Sequence, residues 1–416
     1  MKVLVIGGGI GGLATALSLH AAGVDCEVYE QSREMHELGV GINMLPHAVK
    51  ELAELGLLER LDAAGVRTQE LIYTNQLGQE IWREPRGLDA GHEYPQLSIH
   101  RGRLHGVLHE ATRERIGPER IHTSSRLVGF EQDDTGVTAV LADRRVTGDV
   151  LVAADGIHSV VRAALYPDEG PPTWNGMMMW RGAVPYPRLL TGRSMIIAGG
   201  IDRAKLVVYP ISHEHGIETP LLNWAVGVKL GDGSDPPPRR EDWNRPGDID
   251  EVLPHVRREF KLSMVDIEAV IRAGGRCGEF PMCDRDPVPR WSFGRVTLLG
   301  DAAHPMYPVG SNGASQAILD ARCLAPLLAG SSDPVEALQR YEAERLPPTA
   351  EIVRLNRQGG PEGVIDMVSQ RAPDGFTNLD EVATREEIEA IIKGYAATAG
   401  FSTGNTPAAR DGKSRT

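Results

Sequence analysis

Residues Val3 to Glu30 read VLVIGGGIGGLATALSLHAAGVDCEVYE, and this stretch decides the fold. It opens with the apolar run Val3–Ile6, which is typical of a parallel strand buried on both faces. Small residues that suit a closely packed helix follow the glycines, and a second strand-like segment ends at Glu30. A strand, a glycine-rich turn, a helix and a second strand in this order predict the βαβ unit of a dinucleotide-binding domain.

The glycine-rich turn satisfies G-x-G-x-x-G through Gly7, Gly9 and Gly12. The first glycine allows the tight turn, the second lets the backbone approach a pyrophosphate, and the third lets helix and strand pack closely. The helix that follows offers N–H groups and a positive dipole end to the phosphates. Glu30 stands at about the 20-residue distance expected of the acid that binds a ribose hydroxyl. The motif leaves open whether the dinucleotide is NAD(P) or FAD.

Composition excludes several classes of partner. A formal net charge of −13 argues against nucleic acid, because the chain has no basic stripe to neutralise phosphates. No apolar run approaches the ~20 residues of a membrane span, and Met1-Lys2 leads into a strand rather than a signal peptide. The 4 cysteines lack C-x-x-C spacing, and the 13 histidines lack metal-ligand spacing. We therefore expect a cytoplasmic protein with no metal site.

Two later segments share the pattern of a buried strand that ends in glycine and aspartate. The run 150–154 leads into Asp155-Gly156, and the run 295–299 leads into Gly300-Asp301. Ligands of open parallel sheets bind at the carboxyl ends of the strands. Three segments that are distant in the sequence are therefore expected to meet at one site.

Between those two strands the sequence pattern changes to short runs of alternating apolar and polar residues, which predict an antiparallel sheet over residues 176–228. We expect an α/β fold in which this sheet is an inserted substrate domain. The predicted units are a discontinuous nucleotide-binding domain of residues 1–75, 98–173 and 283–350, a substrate domain of residues 76–97 and 174–282, and a C-terminal helical segment of residues 351–416 with a disordered tail from Ser402.

Further residues are candidates for the nucleotide site. Gly39 and Gly41 suggest backbone that passes close to a flat ligand. Arg101, at a strand-to-helix junction, could meet a phosphate or form a surface ion pair, and the sequence favours neither. The loop from Pro308 to Gly313 feeds a helix whose N-terminus could stabilise the anionic reduced ring of a flavin.

All three motifs together resemble the class A flavoprotein monooxygenases, the para-hydroxybenzoate hydroxylase family, over roughly residues 1–350. The resemblance implies a Rossmann-like FAD-binding domain of the GR2 type, with NADH or NADPH as a transient co-substrate. One departure is Gly310-Ser-Asn-Gly313, where the family often has Gly-x-Gly; Asn312 tolerates the required backbone conformation. The predicted FAD contacts are Gly7, Gly9, Gly12, Glu30, Gln31, Gly41, Arg101, Leu127, Asp155, Gly156, Asp301, Pro308, Gly310, Asn312 and Gly313.

Within the family, the chain is most similar to the phenazine-modifying branch, the 5-methylphenazine-1-carboxylate 1-monooxygenases. The similarity implies an aromatic or heteroaromatic acid as substrate, with a phenazine carboxylate as one candidate, and it allows hydroxylation with loss of CO2. The segments that carry it are Leu38–Ile42, Tyr94–Arg101, Met179–Gly182, Tyr209–Ser212, Asp242–Arg245 and Gly313–Ile318.

The family's chemistry passes through a flavin C4a-hydroperoxide formed from O2, so the protein must mainly orient substrate and exclude water. Candidate catalytic residues are Pro308, His304 and Arg181, and the last two could meet a carboxylate. Trp180 and Arg181 face opposite ways on a strand, so at most one points at substrate. Candidate substrate contacts are Met179, Trp180, Met195, Tyr209 and Trp224, for which ordinary sheet core is the alternative.

Three other functions share parts of these motifs. A flavin-dependent halogenase would usually show W-x-W-x-I-P, which the sequence lacks. A reductase or dehydrogenase of the same fold would not consume O2, and a nucleotide-binding protein without catalysis would show no turnover. The expected partners are a small aromatic substrate and O2, and the protein could be a monomer or a homodimer.

Overall fold

The computed structural model describes residues 1–34, 40–239 and 245–402. Gly39, residues 242–244 of one similar segment, and the predicted tail beyond Ser402 lie outside the described residues.

The strands, in chain order, are β1 (Lys2–Ile6), β2 (Asp25–Tyr29), β3 (Gly41–Met44), β4 (Gly65–Arg67), β5 (Glu70–Thr74), β6 (Glu80–Pro85), β7 (Leu97–His100), β8 (Ile121–His122), β9 (Leu127–Gln132), β10 (Val137–Leu141), β11 (Arg145–Gly148), β12 (Val150–Ala153), β13 (Thr173–Pro185), β14 (Ser194–Ala198), β15 (Ala204–Ser212), β16 (Leu221–Lys229), β17 (Pro246–Gly247), β18 (Cys277–Asp284), β19 (Ser292–Phe293) and β20 (Val296–Leu298).

The α-helices, again in chain order, are α1 (Ile10–Ala21), α2 (Pro46–Glu54), α3 (Leu58–Ala64), α4 (Arg101–Ile116), α5 (Val160–Leu165), α6 (Ile249–Glu259), α7 (Ile267–Gly274), α8 (Gly313–Ala329), α9 (Pro334–Arg357), α10 (Gly363–Arg371) and α11 (Arg385–Ala399).

The nucleotide-binding unit is built on a 6-stranded sheet of order β19-β20-β12-β1-β2-β8. Its strands are parallel except at β19, which pairs antiparallel with β20. Val3, Leu4 and Val5 are fully buried, as expected of a central strand that is covered on both faces. The predicted α/β fold class is confirmed.

The second large unit is an 8-stranded sheet of order β17-β18-β13-β16-β15-β14-β5-β6. Its pairings are antiparallel except for β14 with β5. One face packs against α6 and α7, and its apolar side chains include Trp180, Trp224 and Val226. The other face packs with residues of α10 and α11 and with Val309.

The division into domains remains a proposal, and the sheet suggests a change to its first boundary. A cut at residue 75 would separate β5 from β14, although these strands pair over five residues from Glu70↔Ser194 to Thr74↔Ala198. We therefore propose that the substrate unit begins before Glu70.

Among the described residues, no helix is long and apolar enough to cross a membrane. The same residues contain no group of three or more His, Cys, Asp or Glu side chains that could bind a metal ion.

Candidate active site

The three motif-bearing strands end side by side. Ile6 of β1 pairs with Ala153 of β12, which in turn pairs with Leu298 of β20. Their following loops therefore leave the sheet at one edge, and Gly9 and Asp301 line a single cavity of about 330 Å³. The prediction that three distant segments meet at one site is confirmed.

The glycine-rich turn divides its three glycines between backbone packing and ligand access. Gly7 has φ +107°, and a Cβ there would lie 2.3 Å from the carbonyl oxygen of Ala154. A Cβ on Gly12 would lie 1.9 Å from the Gly7 carbonyl oxygen. Among the described residues, no atom lies within 4 Å of a Cβ built on Gly9, which lines the cavity. The turn thus requires glycine at its first and third positions and keeps open space at the second.

Glu30 follows β2 and is tied to this turn. The Gly8 N–H donates to Glu30 Oε2 (2.7 Å), and the Ser32 N–H donates to Oε1 (2.7 Å). Gln31 beside it is exposed, and Leu127 is buried in the core of the nucleotide-binding unit. Neither Gln31 nor Leu127 lines the cavity, and their contacts with FAD stay predictions.

Two helix N-termini open onto the cavity. Helix α1 starts after Gly9 and α8 starts after Asn312, and within the described chain neither start has a side-chain hydrogen bond capping it. The first N–H groups of a helix lack intrahelical acceptors, so these two ends suit anionic or electron-rich ligand groups. The predicted start of the second helix near Ala314 is confirmed at Gly313.

Charged side chains complete this side of the cavity. Burial raises the pKa of Asp301, and electrostatic interactions with His304 and Arg101 oppose that rise. Burial lowers the pKa of Arg101, and the charge of Asp301 opposes that fall. Both residues line the cavity, and Arg101 begins α4 directly after β7, the predicted strand-to-helix junction.

Asp155 stands between Ala154 and Gly156, which line the cavity, but does not line it itself. Its Oδ2 accepts the Val160 N–H (2.8 Å), whereas its buried Oδ1 has no hydrogen-bond partner in the described part of the chain. Burial is the main reason that its pKa is raised. A buried acceptor without a donor is costly unless a ligand supplies one. The two uncapped helices and the open space at Gly9 fit the doubly phosphorylated body of FAD, and a contact between Asp155 and FAD stays a prediction.

The loop from Pro308 to Asn312 is held from behind by the C-terminal segment. Asn312 Nδ2 donates to Tyr395 Oη (2.9 Å), which donates to Asn356 Oδ1 (2.7 Å). Glu362 Oε1 accepts the Gly310 N–H (3.3 Å). Sequence reasoning missed Tyr395 and Glu362, because they lie beyond the stretch that the motifs cover.

The 8-stranded sheet supplies the opposite wall. Met179, Arg181, Met195 and Tyr209 all line the cavity. The Arg181 guanidinium lies 4.9 Å from the ring centroid of Phe280, and burial is the main reason that its pKa is lowered to about 9. Burial also raises the pKa of Tyr209, so its phenol stays protonated near neutral pH. That these residues bind substrate stays a prediction.

Two predicted substrate contacts are wrong. Trp180 and Trp224 belong to the apolar cluster on the other face of the sheet, where Trp180 stacks on His255 at 6.2 Å between centroids. The residues on either side of Trp224, Asn223 and Ala225, line the cavity instead. Successive side chains of a strand point to opposite faces, so the assumed phase was one residue off on β16.

His304 is also displaced from its predicted role. It is 2% exposed, does not line the cavity, and places Nε2 2.6 Å from Oδ2 of Asp320. Asp320 also accepts the Gly300 N–H (3.1 Å) and a bond from Arg345 (2.7 Å). Although burial raises the pKa of Asp320, the charges of His304 and Arg345 hold it below its ordinary value. His304 thus anchors the Gly300-Asp301 turn rather than a substrate.

Comparison with known proteins agrees with this geometry. A family model described as FAD binding domain matches residues 1–204 and 248–356. The phenazine 1,6-dicarboxylic acid hydroxylase PhzS of Lysobacter antibioticus is 45% identical over 364 residues, which cover 85% of this chain and 89% of that protein. The 3-hydroxybenzoate 6-hydroxylase 1 of Aquipseudomonas alcaligenes is 34% identical, over 86% of this chain and 88% of that protein.

A solved structure shows the same fold. Klebsiella pneumoniae HpxO complexed with FAD and uric acid superposes with a TM-score of 0.76 over 97% of both chains, at 24% sequence identity.

Proposed function

Because this chain belongs to the FAD binding domain family and is an FAD-dependent aromatic monooxygenase of the hydroxybenzoate hydroxylase type, we propose that it hydroxylates a fused-ring aromatic carboxylic acid of the phenazine class. Bound FAD would supply the redox chemistry, with NADH or NADPH as the reductant and O2 as the source of the transferred oxygen. The PhzS relative, which is named for a phenazine dicarboxylic acid, supports this substrate class. The benzoate relatives set the alternative of a single-ring acid.

The observation that supports the proposal most strongly is the position of Arg181 in the cavity wall. Arg181 is a cation on an otherwise apolar stretch of the sheet face, beside Met179, Phe280 and Val207. Burial of a cation is unfavourable, and a bound carboxylate would offset that cost. We assign Arg181 to the acid group of the substrate and the methionine-rich wall to its rings.

The remaining wall residues orient the ring and exclude water. Tyr209 is hydrogen-bonded to Asn43, which accepts from Ser98 Oγ (2.6 Å). A phenol that stays protonated can donate to a ring nitrogen or oxygen of the substrate. The Gly41 N–H donates to Asn223 Oδ1 (2.7 Å), which joins the flavin side of the cavity to β16. Pro308 stands at the start of the loop that closes this side.

The test measures turnover with acids of different ring size. NADH and NADPH oxidation, O2 uptake and product mass are recorded with phenazine-1-carboxylate, phenazine-1,6-dicarboxylate and 3-hydroxybenzoate. We expect the phenazine acids to stimulate NAD(P)H oxidation with matched O2 uptake, and product mass to report whether CO2 is lost. Stimulation by the benzoate alone would refute the proposed substrate class.

The same assay separates the other candidate functions. A reductase would oxidise NAD(P)H without O2 uptake, and a halogenase would require halide. A nucleotide-binding protein without catalysis would show neither NAD(P)H oxidation nor O2 uptake. Within the described residues, the cysteines form no disulfide, which supports the proposal that the protein works in a reducing compartment such as the cytoplasm; they are Cys26, Cys277, Cys283 and Cys323.

A further inference from the structure

A buried ion pair lies in the wall of the active-site cavity. Lys205 Nζ is 2.5 Å from Glu362 Oε2, the two side chains are 3% and 2% exposed, and both residues line the cavity. The proposed function gives this pair no role. An ammonium carries three N–H donors, and in the described part of the chain Glu362 is the carboxylate within ion-pair distance of Lys205. The ammonium therefore has donors to spare for a ligand.

The strand register places Lys205 well apart from Arg181 on the same face. Lys205 is opposite Gly227, Gly227 is opposite Met179, and Met179 stands two residues before Arg181. Two strand spacings and two residues of rise put the Cα atoms of Arg181 and Lys205 about 12 Å apart. Both side chains are long and line one cavity, so the two cations can contact a bound ligand at two separate positions.

We propose that Lys205 is a second acid-binding residue, so that the cavity selects a planar aromatic substrate with acid groups at both ends. One acid meets Arg181 and the other meets Lys205. This inference rests on the proposed function and narrows its substrate to a diacid. Lys205 and Glu362 both lie outside the segments matched by the FAD binding domain model, residues 1–204 and 248–356.

Because Glu362 is paired with Lys205, binding of a diacid should have a second measurable effect, the uptake of a proton. A substrate carboxylate on Lys205 would bring two carboxylates to one ammonium in a buried site, which favours protonation of one of them. The ionisable groups that act on Glu362 or feel its charge are Lys205, Tyr73, Asp366 and Tyr395. Lys205 is the cation among them, so we expect the two carboxylates together to take up one proton when the diacid binds.

The experiment compares two acids that share a ring system. Dissociation constants of phenazine-1,6-dicarboxylate and phenazine-1-carboxylate are measured with the FAD-loaded protein by calorimetry in buffers of different ionisation enthalpy. Because Lys205→Met removes a charged hydrogen bond, it should weaken binding of the diacid about 10- to 100-fold and change the affinity for the monoacid less than about twofold. Glu362→Gln should tighten the diacid and abolish its proton uptake. The Gln side chain can still accept the Gly310 N–H.

Controls guard against loss of folding. Lys205→Met leaves a buried carboxylate, so the double variant Lys205→Met/Glu362→Gln removes both charges and should fold while still losing the diacid preference. Lys229→Met changes a lysine that does not line the cavity and should change neither affinity.

The readings are distinct. If the double variant binds both acids equally more weakly, or binds both as tightly as the wild type, Lys205 does not have the proposed role. Proton uptake that persists in Glu362→Gln would also refute the proposal. Failure of the wild type to bind either acid would instead refute the proposed function.

Discussion

Replacement of Arg181 by methionine should make the protein more stable and a weaker binder of aromatic acids. Methionine is apolar and of similar length, so it fills the same space without a charge. A site that keeps a buried cation for a ligand is expected to show this trade-off between stability and function.

The magnitude follows from the environment of the guanidinium. Its pKa falls from the ordinary arginine value to about 9, mainly because of burial, which at about 1.4 kcal/mol per pKa unit corresponds to a cost on the order of 5 kcal/mol. Water in the cavity reduces that figure, and the variant also loses the cation–π contact with Phe280, worth about 1 kcal/mol. We expect the free energy of unfolding to rise by about 1–3 kcal/mol.

The pH range of this gain is fixed by its sign. Below pH 9 the guanidinium is charged in both the folded and the unfolded state, so the burial cost is fully present. It is relieved only as the pH rises above about 9. The advantage of Arg181→Met should therefore be constant between pH 6 and pH 8, in urea unfolding of the apoprotein.

Substrate affinity should move the other way. Loss of a charged hydrogen bond costs about 1.5–3 kcal/mol, so the dissociation constant of phenazine-1-carboxylate should rise roughly 10- to 150-fold. Arg188→Met is the matched control, because Arg188 is 42% exposed and pairs with the exposed Glu218. A variant that loses stability and keeps its affinity would show that Arg181 is a structural residue.

Three further predictions address the cofactor side and its supports. Gly9→Ala should leave the unfolding of the apoprotein unchanged, because its Cβ meets no described atom within 4 Å, and should weaken FAD binding at least about 10-fold. Gly7→Ala should unfold the domain, because its Cβ would lie 2.3 Å from a carbonyl oxygen. An FAD titration in which Gly9→Ala keeps the wild-type affinity would contradict this prediction. Asp366 has its pKa raised to about 6, mainly by burial, so the folded state binds an extra proton and the wild type loses up to about 3 kcal/mol of stability as the pH rises from about 4 to 6. Asp366→Asn should flatten that change in urea unfolding, and an unaltered pH profile would refute the assignment. Tyr395→Phe should lower the free energy of unfolding by about 1–3 kcal/mol, because Asn356 Oδ1 and Asn312 Nδ2 each lose a partner; an unchanged urea midpoint would rule this out.

The cofactor half of the site could be predicted from the sequence because its signals are local. A buried parallel strand, the turn after it and the helix that follows are contiguous, and each carries its own pattern of apolar residues and glycines. Adjacent parallel strands end at one edge, so three such segments define a site without any long-range contact being known. Gly9 and Asp301 were placed in this way, and both line the cavity.

The substrate half could be predicted only in part, because its strands are covered on both faces. Strand β16 is buried at every position from Leu222 to Val228, so alternation of apolar and polar residues gives no phase. Trp224 was therefore assigned to the wrong face. On β13 the sequence left the choice between Trp180 and Arg181 open, and the structure places Arg181 in the cavity wall.

The features that sequence reasoning missed are long-range polar pairs. Lys205 and Glu362 are far apart in the chain, as are Asn312 and Tyr395, and no periodicity links either pair. Yet each ties the C-terminal helices to a wall of the cavity: one to the substrate sheet, the other to the loop before α8. Because buried polar groups are costly unless they are satisfied together, we expect these contacts to hold the two walls at a fixed separation. The C-terminal segment carries no recognisable motif, yet it contacts both walls of the cavity through Glu362 and Tyr395.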